Sequence, residues 1–528
     1  MNLDNNNNNN NRVGRIQIYA CGDSKYETIS NERTNKSIVE TRIRSTKVER
    51  HFKAKRKRNV EVSFVDSESA EDVTGSNVYV KTQHHNILLD CGMHQTNNRY
   101  KDFLVNNRQP KEYKVRNIDM IFVLHNHIDH IGNLPLMFKR GCTAQVLTPS
   151  KSKDIMQLML SDCANINERD IQVINTQNHR DYEPLYVLDD VKKTMEYVKE
   201  YQPNVKYKID DEISFKFIPS GHLLGACQLK LYITDNNVTK TLLYTSDLGS
   251  NILNNPFVDK FEAVEKADCV IGESTYGDRP KQKNTQKERN SDLDKLTTII
   301  DTQVKEMNGR VIIPTFAQSR CQELAYFIWK LYKDKEWQPK VYIDSPLAIN
   351  IFKTYQNLLV DNEKKEFDEM LKWKNLVFIN EAQDSISLVQ SSEPCVVLAT
   401  SGMCTVGRVR HHLKANVGNV NSTILFVGYS TQDSLASLLK DPKTKAITID
   451  QKSYKCKCSV YNLKSLSGHA MYKQLLDYYS SINCQKIVLH HGSKTAKEYL
   501  GKTLKERLEK ECKTTKVVCA NKSLKFSL

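Results

Sequence analysis

Short apolar runs in the first half of the chain end at polar side chains. Residues 120–124 form a continuous apolar run, which predicts a buried strand, and His125 follows it at once. Three further runs predict strands that each end at or just before a carboxylate or imidazole: residues 87–89 with Asp90, residues 215–218 with His222, and residues 242–244 with Asp247. Because the ends of neighbouring strands meet at one edge of a sheet, we expect these side chains to form one site.

The rest of the pattern separates two kinds of region. Residues 60–64, 77–80 and 86–89 predict a β-meander, while residues 151–165 and 189–201 have the apolar spacing of helices. After a charged connector at residues 279–292, predicted strands and helices alternate: strands at residues 310–313, 341–343, 396–399 and 424–427, helices at residues 319–332 and from Pro346. Such alternation predicts a parallel sheet of βαβ units. A final strand at residues 486–489 precedes the adjacent histidines His490 and His491.

Composition is that of an ordinary globular protein. The 528 residues suffice for two or three domains, and the mean hydropathy is −0.55. No apolar run approaches the ~18–20 residues of a membrane span. The asparagine run at residues 5–11 lacks the apolar segment of a secretory signal, and fourteen irregularly spaced cysteines favour a reducing compartment. We therefore expect an intracellular protein without membrane contact, cytoplasmic or, in a eukaryote, nuclear.

Basic residues exceed acidic ones by 77 − 62 = 15, which favours a polyanionic partner. Residues 42–58 concentrate this excess, with nine Lys or Arg and one Glu. The segment suits a nucleic-acid contact or a nuclear-import signal. A solvated leader that reflects only an AT-rich genome is an equally good interpretation.

The string from His125 to His130 carries the strongest chemical signal. Its ligand-type residues are His125, His127, Asp129 and His130, four within six residues. On an extended segment His125 and His127 point the same way, and a turn presents the other two from a second direction. This geometry suits two adjacent metals. Taken singly, Asp90 and Asp247 would more often cap a turn or a helix.

In order and spacing these residues resemble the metallo-β-lactamase fold. The segment Gly272–Asp278 then resembles the EST-YG signature of the β-CASP nucleases within that superfamily, and further β-CASP-like landmarks follow at residues 314–324, 344–348, 399–408 and 426–429. The resemblance covers about residues 60–500 and is to bacterial or archaeal RNA-processing members and to the nuclease subunit of the cleavage and polyadenylation specificity factor. It implies an α/β protein: an αββα sandwich with an inserted β-CASP domain.

The resemblance also implies domain boundaries. Residues 1–58 would be a basic, partly disordered extension, residues 59–278 and 426–528 the two parts of the lactamase domain, and residues 279–425 the β-CASP domain.

Two zinc ions are the implied cofactor, although manganese or iron would also suit such nitrogen and oxygen ligands. By resemblance, one zinc is held by His125, His127 and His222, and the other by Asp129, His130 and His469. Asp247 would bridge them, and Asp90 would orient a ligand histidine.

Catalytic roles follow from the same resemblance. A water bridging two zinc ions becomes hydroxide near neutral pH, with Asp129 and Asp247 holding the metals and Glu273 handling a proton or capping the next turn. Substrate contacts are expected from four residues of the β-CASP region: Arg320, Ser401, Gly402 and Arg408. The histidines His411 and His412 receive no task.

We expect a ribonuclease that hydrolyses RNA phosphodiester bonds, alone, as a homodimer or in an RNA-processing complex. Three alternatives stay open: a DNA nuclease of the same fold, a catalytically silent RNA-binding scaffold, and a small-molecule hydrolase such as a thioesterase. The inserted domain and the net charge of +15 argue against the last.

Overall fold

The structure, a computed structural model, describes residues 17–19, 25–30, 39–42, 60–65, 73–96, 98–250, 257–282, 285–428, 430–431, 434–522 and 524–528. The strands are β1 (Gln17–Tyr19), β2 (Lys25–Ser30), β3 (Val39–Arg42), β4 (Glu61–Phe64), β5 (Val78–Lys81), β6 (Asn86–Leu89), β7 (Met120–Phe122), β8 (Gln145–Pro149), β9 (Val198–Tyr201), β10 (Lys206–Lys208), β11 (Ile213–Pro219), β12 (Cys227–Asp235), β13 (Val238–Tyr244), β14 (Cys269–Glu273), β15 (Arg310–Pro314), β16 (Val341–Asp344), β17 (Leu376–Phe378), β18 (Cys395–Ala399), β19 (Ser422–Val427), β20 (Ala446–Ile449), β21 (Lys452–Lys455), β22 (Ser459–Leu463), β23 (Lys486–His490), β24 (Lys516–Cys519) and β25 (Lys525–Ser527).

The α-helices are α1 (Arg99–Asn106), α2 (Ile128–Ile131), α3 (Leu134–Lys139), α4 (Lys153–Asn178), α5 (Leu188–Met195), α6 (Gln286–Ile300), α7 (Arg320–Tyr332), α8 (Pro346–Leu358), α9 (Asp361–Leu371), α10 (Ala382–Gln390), α11 (Val409–Asn416), α12 (Leu435–Lys440), α13 (Tyr472–Ser481) and α14 (Lys494–Lys510). Among the described residues, no helix combines the length and the apolarity needed to cross a membrane.

Two sheets form a sandwich. The first has seven strands in the order β25-β4-β5-β6-β7-β8-β9, and the second has ten in the order β1-β2-β3-β10-β11-β12-β13-β14-β23-β24. Their facing sides share one apolar core, in which the rings of Phe122 and Phe215 are 5.0 Å apart. Helices cover the outer faces, α3, α4 and α5 on the first sheet and α13 and α14 on the second. The predicted αββα sandwich is confirmed.

A third sheet has six parallel strands in the order β17-β16-β18-β15-β19-β22. Helices α7, α8 and α9 pack on one face and α10, α11 and α12 on the other. All four predicted strands of this region are present. Ile155 of α4 and Leu224 belong to the same apolar cluster as α7 and α8, so this sheet is packed against the sandwich.

Two sequence predictions are wrong. The helix predicted over residues 189–201 ends at Met195, and β9 follows it, paired in parallel with β8. The predicted connector at residues 279–292 contains the first turns of α6, because Thr285 accepts a hydrogen bond from the Glu288 amide as a helix cap.

The N-terminal strands extend the second sheet, since β3 pairs in parallel with β10. Strands β1, β2 and β3 lie within the segment that was predicted as an N-terminal extension. Residues 43–58 of the basic segment lie outside the described residues. The predicted domain boundaries stay a prediction.

Candidate metal centre and active site

The ligand-type residues lie at one edge of the sandwich, where β6, β7, β11, β13 and β23 end. Backbone hydrogen bonds fix the loop after β7, because the Ser76 amide donates to Asp129 O and the Gly92 amide donates to Ser76 O, each at 2.8 Å. A Cβ atom at Gly92 would lie 1.7 Å from Asp129 O, so only glycine permits this packing. The meander turn thus holds the metal-binding loop in place.

One group of potential ligands combines three imidazoles with a carboxylate: His125, His127, His222 and Asp247. Their ligand atoms all lie within 4.8 Å of one another. Asp247 Oδ2 is 3.5 Å from His125 Nε2 and 3.6 Å from His222 Nε2. These are the residues predicted for the first metal, together with the predicted bridge.

A second group consists of Asp129, His130 and His491. Asp247 faces this group with its other oxygen, since Oδ1 is 3.4 Å from His130 Nε2 and 3.2 Å from His491 Nδ1. His491 Nε2 is 3.4 Å from Asp129 Oδ2. The single carboxylate of Asp247 therefore stands between two ligand groups and presents one oxygen to each.

His491, and not the predicted His469, lies with Asp129 and His130 in this group, and the assignment of either histidine as a metal ligand stays a prediction. The reason lies in the sheet, where β23 pairs with β14 and brings its end beside Asp247. The signal was present in the sequence, because His491 closely follows a predicted strand as the other ligands do. His490 next to it is buried and hydrogen bonds to Ser76 Oγ at 3.2 Å.

His469 instead faces Glu273. Its Nδ1 atom is 3.4 Å from Glu273 Oε2 and 3.9 Å from Asp247 Oδ2. Burial opposes protonation of this ring, but the negative charges of Glu273 and Asp247 outweigh it and raise the pKa of His469 to about 9. Glu273 is held by the Leu248 amide, which donates to Oε1 at 2.6 Å, and by the Thr275 amide at 3.4 Å.

Burial favours the neutral form of the three imidazoles of the first group, whereas the surrounding carboxylates raise the pKa values of His130 and His491. Burial lowers the pKa of His127 to about 4 and holds the pKa values of His125 and His222 well below the usual range. Burial alone would raise the pKa of Asp129, but His130 and His491 lower it to about 2. An ionised carboxylate and unprotonated ring nitrogens are the forms that bind a divalent metal.

Asp90 is fully buried behind His130. Its Oδ2 accepts hydrogen bonds from His130 Nδ1 and from the Tyr244 hydroxyl, both at 2.7 Å, and its Oδ1 accepts one from the Leu124 amide. The contact with His130 leaves Nε2 of that ring directed at Asp247. This is the orienting position that the sequence predicted.

Two buried atoms in this cluster make no hydrogen bond: His125 Nε2 and Asp247 Oδ1. Unpaired buried polar atoms are costly, and metal coordination satisfies them. The donors are imidazole nitrogens and carboxylate oxygens, which zinc accepts at three- and four-ligand sites. The residues therefore fit two metal ions.

A cavity of about 1210 Å³ opens from the metal centre toward the six-stranded sheet. Three of the four predicted substrate residues line it, namely Arg320, Ser401 and Arg408, and Gly402 lies against the ring of Phe316, which also lines it. Arg320 lies close to His222, because a Cβ atom at Gly468 would be 3.0 Å from Arg320 Nη2 and 3.5 Å from His222 Cε1. Its Nη1 is 2.5 Å from Glu323 Oε2.

Arg408 is engaged with the protein. Its guanidinium donates to Asp344 Oδ1 at 2.8 Å and to the carbonyls of Ile379 and Asn380. The Asp344 carboxylate also accepts from His412 Nε2 at 2.7 Å, so His412 has a structural task. These contacts give no support to the phosphate contact predicted for Arg408.

Phe316 was missed by the sequence analysis. Its side chain is 36% exposed, and its ring centre lies 6.1 Å from that of His127. At Gly402 an added Cβ atom would lie 3.1 Å from the Phe316 ring, so glycine allows the ring its position. An exposed aromatic ring beside a metal centre offers a stacking surface.

Three family models match successive parts of the chain. A Beta-lactamase superfamily domain matches residues 85–294, a Beta-Casp domain residues 321–439, and a Zn-dependent metallo-hydrolase RNA specificity domain residues 453–515.

Curated relatives are similar over most of this length. Ribonuclease TTHA0252 of Thermus thermophilus is 29% identical over 448 residues, which cover 83% of this chain and 94% of the relative. Transcription termination factor FttA of Methanocaldococcus jannaschii is 26% identical over 83% of this chain and 67% of its own length. Endoribonuclease YSH1 of Candida glabrata is 26% identical over 77% of this chain, which spans about half, 51%, of that relative. With its sandwich, its inserted parallel sheet and its paired ligand groups, the chain belongs to the β-CASP group of the metallo-β-lactamase superfamily.

Proposed function

We propose that this protein is a metal-dependent ribonuclease that hydrolyses RNA phosphodiester bonds. The observation that carries the proposal is Asp247, whose two carboxylate oxygens face two separate ligand groups at the floor of a wide cleft. Two adjacent metals suit phosphodiester hydrolysis because this reaction develops charge on both the attacking and the leaving oxygen. The relatives named ribonuclease and endoribonuclease support RNA as the substrate.

His125, His127 and His222 would hold one zinc ion, Asp129, His130 and His491 the other, and Asp247 both. Bound there, two zinc ions would lower the pKa of a water molecule and neutralise charge on the phosphate oxygens. Manganese would fit the same donors.

His469 and Glu273 would handle the proton of the leaving group. His469 lines the cleft, and its ring stands beside the ligand groups without belonging to either. The Glu273 carboxylate 3.4 Å from Nδ1 stabilises the protonated imidazole, so the ring can donate a proton to a departing alkoxide. In this assignment Asp129 and Asp247 hold the metals and Glu273 acts through His469.

The opposite wall of the cleft would position the RNA. Arg320 brings a cation to within reach of His222, and its pairing with Glu323 fixes the guanidinium direction. Phe316 offers its exposed ring to a base next to the scissile phosphate, with Ser401 and Gly402 shaping the neighbouring turn. Arg408 would support this turn from Asp344 and make no contact with phosphate.

An intracellular, reducing compartment fits the cysteines, since those of the described residues are all free and most are buried. Cleavage as a homodimer or within an RNA-processing complex belongs to the same proposal.

Digestion of one RNA, labelled at either its 5′ or its 3′ end, tests the proposal. Zinc-loaded protein should cleave it, and the Asp129→Ala variant should not, while RNA affinity stays within a few fold because cations elsewhere supply most of the binding free energy. His84→Ala, which removes an exposed histidine, is the matched control and should cleave normally.

Absence of RNA cleavage by the metal-loaded protein would overturn the proposed activity. Faster cleavage of single-stranded DNA of the same sequence would overturn RNA as the substrate. Loss of RNA binding together with activity in Asp129→Ala would contradict the proposed division between metal ligands and binding residues.

A further inference from the structure

A second cavity lies where the chain passes between the sandwich and the six-stranded sheet. It measures about 900 Å³, and we call it the crossover groove. Its walls are Tyr276, residues 278–282, four positions at the start of α6, Gly428, Asn462, and residues 464–465. Both passages of the chain between the sandwich and the third sheet border this groove, the first after β14 and the second after β22.

The walls of the crossover groove carry four cations and three carboxylates. Arg279, Lys281, Lys295 and Lys464 line it. Lys281 and Lys464 have exposed side chains, and neither belongs to any of the ion pairs within 4.0 Å recorded among the described residues. These two ammonium groups are thus available to an anion.

The three carboxylates of the groove already have protein partners. Asp292 Oδ2 accepts hydrogen bonds from the Ser465 amide and hydroxyl, at 2.9 and 2.7 Å. Asp278 accepts one from the Thr495 hydroxyl at 3.2 Å, and Glu288 caps the start of α6. Arg279 lies 3.9 Å from Asp278 and Lys295 lies 3.2 Å from Asp292, so these charges pair within the groove. With Lys281 and Lys464 against Glu288, the groove keeps a net charge of +1.

The effect of this charge is visible at Lys440, which lies behind Gly428 and donates to its carbonyl at 3.0 Å. The pKa of Lys440 is lowered to about 8, chiefly by burial and also by the positive charges of Arg279 and Lys464, against the opposing influence of Cys404. Arg279 and Lys464 therefore both lie close enough to Lys440 for their charges to lower its pKa.

Asn462 adds an unpaired acceptor to the wall. Its Oδ1 atom is buried and makes no hydrogen bond. An amide oxygen accepts a hydrogen bond from a hydroxyl group. The 2′-hydroxyl of ribose is such a donor, and it is the group that distinguishes RNA from DNA.

The crossover groove begins next to the proton-handling side of the metal cleft. The edge of the Tyr276 ring faces His469 at 6.0 Å, and its hydroxyl hydrogen bonds to Ser467 at 3.0 Å. On the other side, the Arg279 guanidinium lies 4.4 Å above the same ring. Gly428 lines both cavities, so a strand that leaves the cleft past His469 reaches the groove.

We infer that the crossover groove binds the phosphodiester backbone of the RNA on the leaving-group side of the scissile bond. The inference rests on the proposed function, because His469 defines the leaving-group side. Lys281 and Lys464 contact phosphates of the RNA on the leaving-group side. Arg279 lies over the Tyr276 ring, where the groove meets the cleft. Asn462 Oδ1 accepts a hydrogen bond from a ribose 2′-hydroxyl.

Salt dependence of RNA binding tests this inference. In the full-length Lys281→Glu/Lys464→Glu variant, the slope of log affinity against log salt should fall by about 1.4, since each lost contact with a single strand lowers it by about 0.7. When wild type and variant bind RNA equally at 1 M salt, this slope change corresponds to about 25-fold weaker RNA binding by the variant at 0.1 M salt. The Lys281→Gln/Lys464→Gln variant should show a similar slope change, which separates contact loss from new repulsion.

The matched control is Lys193→Glu/Lys374→Glu, which changes the net charge equally at two exposed positions that line neither cavity. Its slope and RNA cleavage should match those of the wild type. RNAs shortened by equal lengths on either side of the cleaved bond then locate the contact. The affinity difference between wild type and groove variant should disappear when the RNA is shortened on the leaving-group side, and it should remain when the other side is shortened.

The outcomes separate this inference from the proposed function. If the wild type neither binds nor cleaves RNA, the proposed function fails. If it cleaves RNA but the groove and control variants share one salt slope, or if neither shortened RNA removes the difference, only the groove assignment is overturned. Equal competition by inorganic phosphate and by RNA would assign the groove to free phosphate and would also overturn it.

Asn462→Ala provides an independent readout. Removing the acceptor should weaken binding of RNA a few fold and leave binding of a DNA oligonucleotide of the same sequence unchanged, because only RNA carries the 2′-hydroxyl. Equal losses for RNA and DNA would contradict the role given to this amide.

Discussion

The His130 ring donates a hydrogen bond from Nδ1 to the buried carboxylate of Asp90 at 2.7 Å. With the proton on Nδ1, Nε2 would be left as the ligand atom for a metal, and it faces Asp247 Oδ1 at 3.4 Å. Asp90 follows β6 and His130 follows β7, so two adjacent parallel strands deliver the ligand and the group that orients it.

Replacing Asp90 with Asn should weaken metal binding while all potential ligands remain. The neutral amide cannot stabilise the His130 ring as the carboxylate does, and such changes typically cost 10–100-fold in metal affinity. Competition with a chelator that reports free zinc measures this loss. Unchanged affinity at both metal positions would show that Asp90 only fills space.

His491 and His469 should differ in what their removal does to metal content. The wild type should bind two metals per chain. His491→Ala should lose close to one of them, because His491 faces both Asp129 and Asp247. His469→Ala should keep both and lose cleavage, since His469 pairs with Glu273.

Elemental analysis of freshly prepared proteins decides between the two histidines. Loss of a metal from His469→Ala, with both retained in His491→Ala, would restore the ligand set predicted from the sequence.

Arg408→Ala should destabilise the protein before it affects RNA contacts. The side chain of Asp344 is fully buried, and without Arg408 it keeps only His412 and Ser385 as side-chain partners. We expect a loss of roughly 3 kcal/mol, the lower end for breaking a buried ion pair, because His412 still faces the carboxylate. Urea unfolding of the zinc-loaded protein measures it. A stable variant with a lower salt slope of RNA binding would instead identify Arg408 as a phosphate contact.

The ion pair of His85 and Asp210, which lies outside the candidate metal centre, should make the unfolding free energy depend on pH. His85 Nε2 is 2.6 Å from Asp210 Oδ2, and although burial lowers the pKa of His85, the hydrogen bond and charge of Asp210 outweigh it and raise the pKa. A raised folded-state pKa contributes stability that is complete below the ordinary value of 6.5 and is lost as the pH rises through the raised value.

His85→Gln should therefore cost more stability at pH 5.5 than at pH 9. The carboxylate of Asp210, whose pKa is lowered, stays ionised at both values and cancels in the comparison. Unfolding free energies of wild type and variant at the two pH values provide the test. An equal loss of unfolding free energy at both pH values would show that His85 and Asp210 interact without protonation of His85.

The sequence by itself determined the strands that precede the candidate ligands, the candidate metal-binding loop and the family, because a local pattern of residues encodes each of them. A short strand-like run followed by a carboxylate or imidazole identified Asp90, His125, His222 and Asp247, which all lie at or shortly after strand ends. The spacing of the ligand-type residues in the loop after β7 was enough to predict two metals. Extended backbone points the first two side chains of this loop the same way, and a turn points the other two in a second direction.

Only the tertiary structure decided which late histidine lies beside Asp129 and which carboxylate each of the two predicted arginines pairs with. His469 and His491 are both imidazoles in polar loops, and it is the pairing of β23 with β14 that brings His491 beside Asp247. The sequence predicted a phosphate contact for Arg408, and the fold surrounds its guanidinium with Asp344 and two backbone carbonyls. The residues after Met195 likewise became β9 because β8 offered a partner. Long-range pairing of strands and of buried charges joins residues far apart in the chain, and no local spacing encodes it.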